Sequence, residues 1–185
     1  MKLPDIKLIN LATKEVTSTS SIVKKPTLFL IVRRPGCFLC REQAAKVSFF
    51  RKDIKKFGLD MAAIFKEELG TEEFKPTYWR DSMYIDESRE FYKFVNGGKI
   101  SSSSVLGLVH PESLKNGMRA TNDGYSGNLV GEGFVLGGVC VVDKDGNSVY
   151  EYAEKHFGDH APIEQVLDAC KQFADDKGNY YSHRR

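Results

Sequence analysis

The sequence is short of long apolar runs, of charge of one sign and of cysteine. Leu28 to Val32 is as long as its uninterrupted apolar runs get, far below the roughly 20 residues of a membrane-spanning helix. No membrane span is expected. The 27 basic and 25 acidic side chains leave a net charge of +2. That balance offers no field for nucleic acid or an anionic membrane surface. Met1-Lys2-Leu3-Pro4-Asp5 lacks the apolar segment of a secretory signal. A cytoplasmic setting is expected, where thiols are kept reduced. The four cysteines, Cys37, Cys40, Cys140 and Cys170, are not needed as a disulfide framework. A chain of 185 residues buries a core without staples. The useful question is which thiol reacts.

What is present is an alternation of strand and helix patterns. Residues 6–23 read as a short strand pair or extended lead-in. Thr27 to Val32 is a run of β-formers suited to a central strand buried on both faces. Arg33-Arg34-Pro35-Gly36 breaks it. A helix is expected from Cys37 to Phe57, with Cys40, Ala44, Val47, Phe50, Ile54 and Phe57 on one stripe and Gly58 ending it. Leu59 to Phe65 reads as a strand. Glu67 to Trp79 reads as a shorter helix interrupted by Pro76, and Met83 to Ile85 as a short strand. Ser88 is placed to cap a helix running to Val95. Residues 101–118 read as a helical or irregular crossover. A glycine-rich stretch covers Gly124 to Gly138. Phe134–Val142 and Ser148–Tyr152 form a hairpin turned at Asp143-Lys144-Asp145-Gly146-Asn147. Ile163 to Phe173 closes the chain as a helix. The order predicts one α/β domain over residues 1–185, with a lead-in at 1–26 and a flexible tail at 175–185. Its centre is a mixed β-sheet of four or five strands flanked by helices.

Cys37-Phe38-Leu39-Cys40 stands directly after a strand and at the mouth of a helix. Free backbone N–H groups and the positive end of the helix dipole favour a thiolate there. Arg33, Arg34 and Arg41 add positive charge nearby, and Arg34 is singled out as the stabilising one. A lowered thiol pKa supplies more nucleophile at neutral pH. Cys40, one turn on, is within reach of a disulfide formed on Cys37. Cys37 is therefore the expected exposed, attacking sulfur and Cys40 the buried, resolving one. A zinc half-site and a pair of inert core thiols are the competing readings, but no second C-x-x-C exists to complete four ligands, and the strand–turn–helix context favours a redox pair over inert thiols. His156 and His160 share i,i+4 spacing without a clear helix beneath them. Cys140 and Cys170 fall in apolar patterns and read as core residues. The glycine-rich stretch lacks a Gly-Lys-Ser/Thr ending and leads into a strand, which argues against a phosphate loop. No cofactor and no metal are expected.

The block Arg33 to Ala45 resembles the peroxiredoxin-like 2 family. So do Ser126-Gly127-Asn128-Leu129 with Gly131 to Val139, Glu154-Lys155-His156-Phe157-Gly158-Asp159, and Ala63 to Glu67. The matched blocks span Thr27 to Asp159. The resemblance implies a thioredoxin-like fold of the alkyl hydroperoxide reductase/thiol-specific antioxidant group. It implies antioxidant or redox-regulatory activity through Cys37 and Cys40. In the related selenoprotein U the first position holds selenocysteine, which agrees with Cys37 as nucleophile. A sister type, prostamide/prostaglandin F synthase, reduces an endoperoxide with the same pair. The implied partners are a thiol reductant such as thioredoxin or glutathione and a peroxide, endoperoxide or disulfide substrate. Neither cysteine lies in a Pro-x-x-x-Thr/Ser-x-x-Cys frame, and no proline lies between Pro111 and Pro162 to face the pair. A non-catalytic redox sensor, or a binding module switched by a Cys37–Cys40 disulfide, is the alternative.

Overall fold

The computed structural model describes residues 1–75, 77–128 and 131–174. Pro76, Leu129 and the 175–185 tail, each given a role by the sequence, lie outside them.

The described chain builds a seven-stranded sheet in the order β2-β1-β5-β4-β3-β6-β7. The strands are β1 (Lys7–Asn10), β2 (Val16–Ser18), β3 (Thr27–Ile31), β4 (Asp60–Phe65), β5 (Ser82–Ile85), β6 (Gly138–Val142) and β7 (Ser148–Ala153). The helices are α1 (Thr19–Ile22), α2 (Phe38–Phe49), α3 (Arg51–Lys56), α4 (Thr71–Phe74), α5 (Glu90–Phe94), α6 (Pro111–Asn122) and α7 (Ile163–Lys171). A 3₁₀ turn at Val105–Val109 leads into α6. β3 runs parallel to β4, and β4 parallel to β5. β6 and β7 join antiparallel, as do β1 and β2. The sheet is mixed, with helices on both faces.

The pleat sorts the core into two layers. Leu28, Leu30, Met61, Ala63, Val139 and Val141 point to one side, with Cys37, Cys40 and Cys170. Phe29, Ile31, Ala62, Ile64, Cys140 and Val142 point to the other. All five residues of β3 are buried, and burying each large apolar side chain contributes roughly 1.5–3 kcal/mol. Cys140 is thereby separated from the cysteine pair by the sheet itself.

Four expectations are corrected. The sheet has seven strands, not four or five, because the lead-in pair docks on β5 with Ile9 opposite Ile85. Buried Ile6 and Leu8 anchor that pair. The helix expected over 37–57 is two, broken at Phe50 (φ −92°, ψ 12°). The break lets Phe50 pack on the core and keeps Ile54 buried, while Phe49 is left 81 % exposed. Ser88 does not cap α5. Asp86 does, accepting from Phe91 N at 2.8 Å, and the Ser88 hydroxyl donates to the same carboxylate. The helix expected over Glu67–Trp79 is confined to Thr71–Phe74, after a left-handed Gly70.

Candidate active site

The turn that carries the cysteines is fixed carbonyl by carbonyl. Val32 O accepts from the Tyr92 hydroxyl at 2.8 Å, and Arg33 O from the Lys66 ammonium. Arg34 O accepts from Cys37 N at 3.2 Å, Pro35 O from Arg41 Nε at 3.0 Å, and Gly36 O from Asn128 N at 2.8 Å. Buried backbone acceptors need such partners. Here they arrive from several parts of the fold and hold the turn in one conformation.

The glycine-rich stretch packs against this turn. A Cβ on Gly127 would stand 2.4 Å from Gly36 O, and one on Gly36 would stand 2.1 Å from Asn128 Oδ1. Only glycine allows that approach. A Cβ on Gly137 would similarly meet Ile31 O at 2.1 Å.

Cys37 occupies the N-cap position of α2, and its carbonyl accepts from Arg41 N. Both thiols are free. The Cys37 pKa is lowered to about 5. A hydrogen bond from the Cys40 thiol is the largest cause. Burial opposes it, while the Arg33 charge and the N–H groups of Cys40 and Leu39 at the helix start lower it further. Cys40 is held well above its usual range by that same hydrogen bond and by burial. The pair is therefore asymmetric, with the negative charge on Cys37.

Two sequence expectations are corrected at this point. The guanidinium on the sulfur belongs to Arg33, not Arg34. Arg33 Nη2 donates to Cys37 Sγ at 2.6 Å and Nη1 to Gly133 O at 2.7 Å. Its carbon lies 4.5 Å from the Phe157 ring centroid. Burial works against the Arg33 charge, but the two cysteines and Glu154 more than offset it. Arg34 instead lines the cleft beside the site. Cys37 is not exposed: it is 2 % accessible, against 3 % for Cys40. Access is by a cleft of about 470 Å³ that ends at Cys37, walled by Phe38, Leu108, Leu114, Met118 and Phe157. Of the two residues between the cysteines, Leu39 packs inward and Phe38 lines this cleft.

Residues passed over in the sequence complete the site. Glu154, 3 % accessible, accepts from Gly137 N at 3.1 Å. Burial pushes its carboxyl up to about 7, opposed by the Arg33 charge and the Gly137 N–H. Glu42 is fully buried on α2 and accepts from Arg119 Nε at 2.8 Å, which ties α6 to α2. Both acids stand in patterned blocks, but no local pattern says that they are buried. Among the described residues no group of three or more His, Cys, Asp or Glu is placed to hold a metal ion. His160 faces Glu42 instead, and His156 stacks edge-on with His110.

The family described as AhpC/TSA antioxidant enzyme matches residues 46–156. A Danio rerio protein named Peroxiredoxin-like 2A is 35 % identical over 176 residues, covering 94 % of this chain and 81 % of that protein. The Homo sapiens protein of the same name is 39 % identical over 151 residues, covering 80 % of this chain and 64 % of that protein. This chain belongs to the AhpC/TSA antioxidant enzyme family, on its peroxiredoxin-like 2 branch. Solved structures agree on the fold. A peroxiredoxin-like protein from Aquifex aeolicus superposes with a TM-score of 0.62 at 12 % identity, over 93 % of this chain and 85 % of that one. Peroxidoxin BcpB from Mycobacterium tuberculosis gives 0.62 at 11 %, over 93 % and 95 %. The fold is thioredoxin-like, and a redox role is supported for this peroxiredoxin-like 2 chain. Among the described residues no helix is long and apolar enough to cross a membrane.

Proposed function

We propose that the protein is a thiol-dependent reductase with an antioxidant or redox-regulatory role, Cys37 being the nucleophile and Cys40 the resolving thiol. The observation that carries this reading is the Arg33 guanidinium on a Cys37 sulfur that also accepts from Cys40, at the floor of an apolar cleft. The Cys37 thiolate attacks the distal oxygen of a hydroperoxide, forming a sulfenic acid and releasing an alkoxide that takes a proton. Cys40 then displaces hydroxide from that sulfur as water, closing the Cys37–Cys40 disulfide. Two electrons from a dithiol such as thioredoxin, or from two glutathione molecules, restore the pair. An endoperoxide would instead leave a sulfenate ester on Cys37, releasing one alkoxide, and a protein disulfide a mixed disulfide, releasing one thiolate; Cys40 then displaces the remaining alkoxide or thiolate, which takes the Cys40 proton, and closes the same Cys37–Cys40 disulfide. Arg33 supports the thiolate; Arg34, named as catalytic by the sequence, is assigned to the cleft wall. A reducing compartment such as the cytoplasm fits four free thiols.

A sensor is the second reading, and the burial of Cys37 favours it. Turnover separates the two. With thioredoxin and its reductase, multiple consumption of reductant on hydrogen peroxide, an organic hydroperoxide or a lipid endoperoxide is expected. Oxidation once per molecule and no more would leave the sensor.

A further inference from the structure

Glu154 ends β7's side of the hairpin and faces the cysteine site from below. Its backbone N donates to Gly137 O at 3.1 Å, and its carboxylate accepts from Gly137 N at 3.1 Å. The residue thus holds Gly137 through the peptide groups on either side of its Cα. That segment bears on the site at two points. Gly137 passes so close to the end of β3 that a Cβ would stand 3.1 Å from Arg33 N. Gly133 O receives Arg33 Nη1, which leaves Nη2 aimed at Cys37 Sγ. A chain of contacts therefore runs from the Glu154 carboxyl through Gly137 and Gly133 to the guanidinium and the sulfur.

The charges along this chain are few. Arg33 reaches Glu154 from the turn after β3, Cys37 and Cys40 from α2, and Asp159 from the loop after β7. Tyr92 on α5 and Tyr152 on β7 also feel the carboxylate. The cations here are Arg33, on the Cys37 sulfur, and Lys66, which donates to Arg33 O and reaches Cys40. With its carboxyl pushed up to about 7, Glu154 is uncharged where Cys37 ionises, near 5, and acts there as a hydrogen-bond acceptor.

We propose that Glu154 is a positioning residue for the Cys37–Arg33 pair: its carboxyl pins the segment that holds Arg33 on the sulfur. This deepens the reductase reading and rests on it only for the importance of the thiolate. Pinning favours the thiolate by fixing Arg33.

Two variants test the pin. Glu154→Gln keeps an oxygen acceptor at full reach for Gly137 N and removes the charge. Glu154→Asp keeps the charge and withdraws the acceptor by one methylene. The readout is the pH profile of Cys37 alkylation, followed by peptide mass spectrometry on the full chain, with circular dichroism to confirm folding. In E154Q, which keeps the acceptor, the midpoint is expected to stay at the wild-type value. In E154D it is expected to rise, with alkylation at pH 5 falling about threefold. Midpoints that move together, or that both coincide with wild type, overturn the assignment. The profile needs no turnover, so the role of Glu154 is tested even in a protein without reductase activity.

Discussion

Arg33 Nη2 donates to Cys37 Sγ at 2.6 Å, and the other arm of the same guanidinium is held by Gly133 O. A charge fixed that way acts on one sulfur rather than on the whole turn. Arg33→Met, which keeps much of the packing on Phe157, is expected to move the Cys37 alkylation midpoint up from about pH 5 by roughly one unit or more. Arg34→Ala is expected to move it much less, because Arg34 lines the cleft. The linkage has a definite sign. The folded Cys37 pKa is depressed, so its stabilising contribution is present above the unfolded value near 9.0 and is lost as pH falls through about 5. Wild-type unfolding free energy should show that loss, and R33M should show less of it.

The four thiols should separate cleanly in a labelling experiment. Burial pushes Cys170 up to about 12 and Cys140 higher still. Only Cys37 is ionised at neutral pH, and the cleft reaches it. Brief iodoacetamide treatment at pH 7 is expected to modify Cys37 first despite its burial. Mild oxidation is expected to yield the Cys37–Cys40 disulfide, read by peptide mapping. A dominant bridge to Cys140 would contradict the layering, since that thiol lies on the far face of the sheet.

The sequence carried the central facts of this site unevenly. Period and composition revealed β3, the Pro-Gly break and the helix start behind it, because these are local properties of the chain. The Gly124–Gly138 and Glu154–Asp159 blocks carried the family resemblance, and the structure brings Gly127, Gly133, Glu154 and Phe157 from them to the cysteine turn. Which arginine meets the sulfur was not legible. Arg33 and Arg34 are adjacent and chemically identical, and the choice is made by Gly133 and Phe157, about 100 residues away. That the lead-in strand pair joins the central sheet was missed for a related reason: β1 and β2 are short, and their place is set by β5. The burial of Cys37 was missed because the Arg33 guanidinium that stands on its sulfur is put there by the distant Gly133 carbonyl.

The ion cluster under α6 should set acid stability. Glu42 is fully buried and held by Arg119, Lys46 and, at 3.7 Å, the His160 ring. Arg119→Met leaves that carboxylate with Lys46 alone. Because Arg119 is 37 % exposed, the loss is expected at about 2 kcal/mol, below the usual range for a broken buried pair. His160 is held down to about 4 by burial, against the opposing pull of Glu42. The unfolded chain then binds the proton first, and stability falls as pH drops from about 6.5 to about 4. His160→Gln is expected to flatten that part of the curve in urea unfolding. An unchanged slope would place the acid sensitivity elsewhere.

The cleft makes the sharpest demand on the reductase reading. Its α6 wall presents Leu114 and Met118, exposed by 53 % and 68 %, and Gly117 between them. A Cβ on Gly117 meets nothing closer than Phe38 Cζ at 3.8 Å. A larger side chain there projects into the cleft without disturbing the backbone, and replacing an interior helical glycine favours the helix by roughly 0.5–1 kcal/mol. Gly117→Leu is therefore expected to fold at least as well as wild type and to keep the Cys37 alkylation midpoint near pH 5. Hydrogen peroxide, small enough to pass, should oxidise it at an unchanged rate. A bulky organic hydroperoxide should lose about tenfold in kcat/KM, equivalent to about 1.4 kcal/mol of transition-state binding. Two controls fix the chemistry. Cys37→Ser should abolish reduction of either peroxide, since nothing then makes the first bond. Cys40→Ser should stop at the Cys37 sulfenic acid or its mixed disulfide, visible by intact mass. If Gly117→Leu slows both peroxides equally, the cleft is not the path of the substrate, and Cys37 must be reached by displacement of α6 instead.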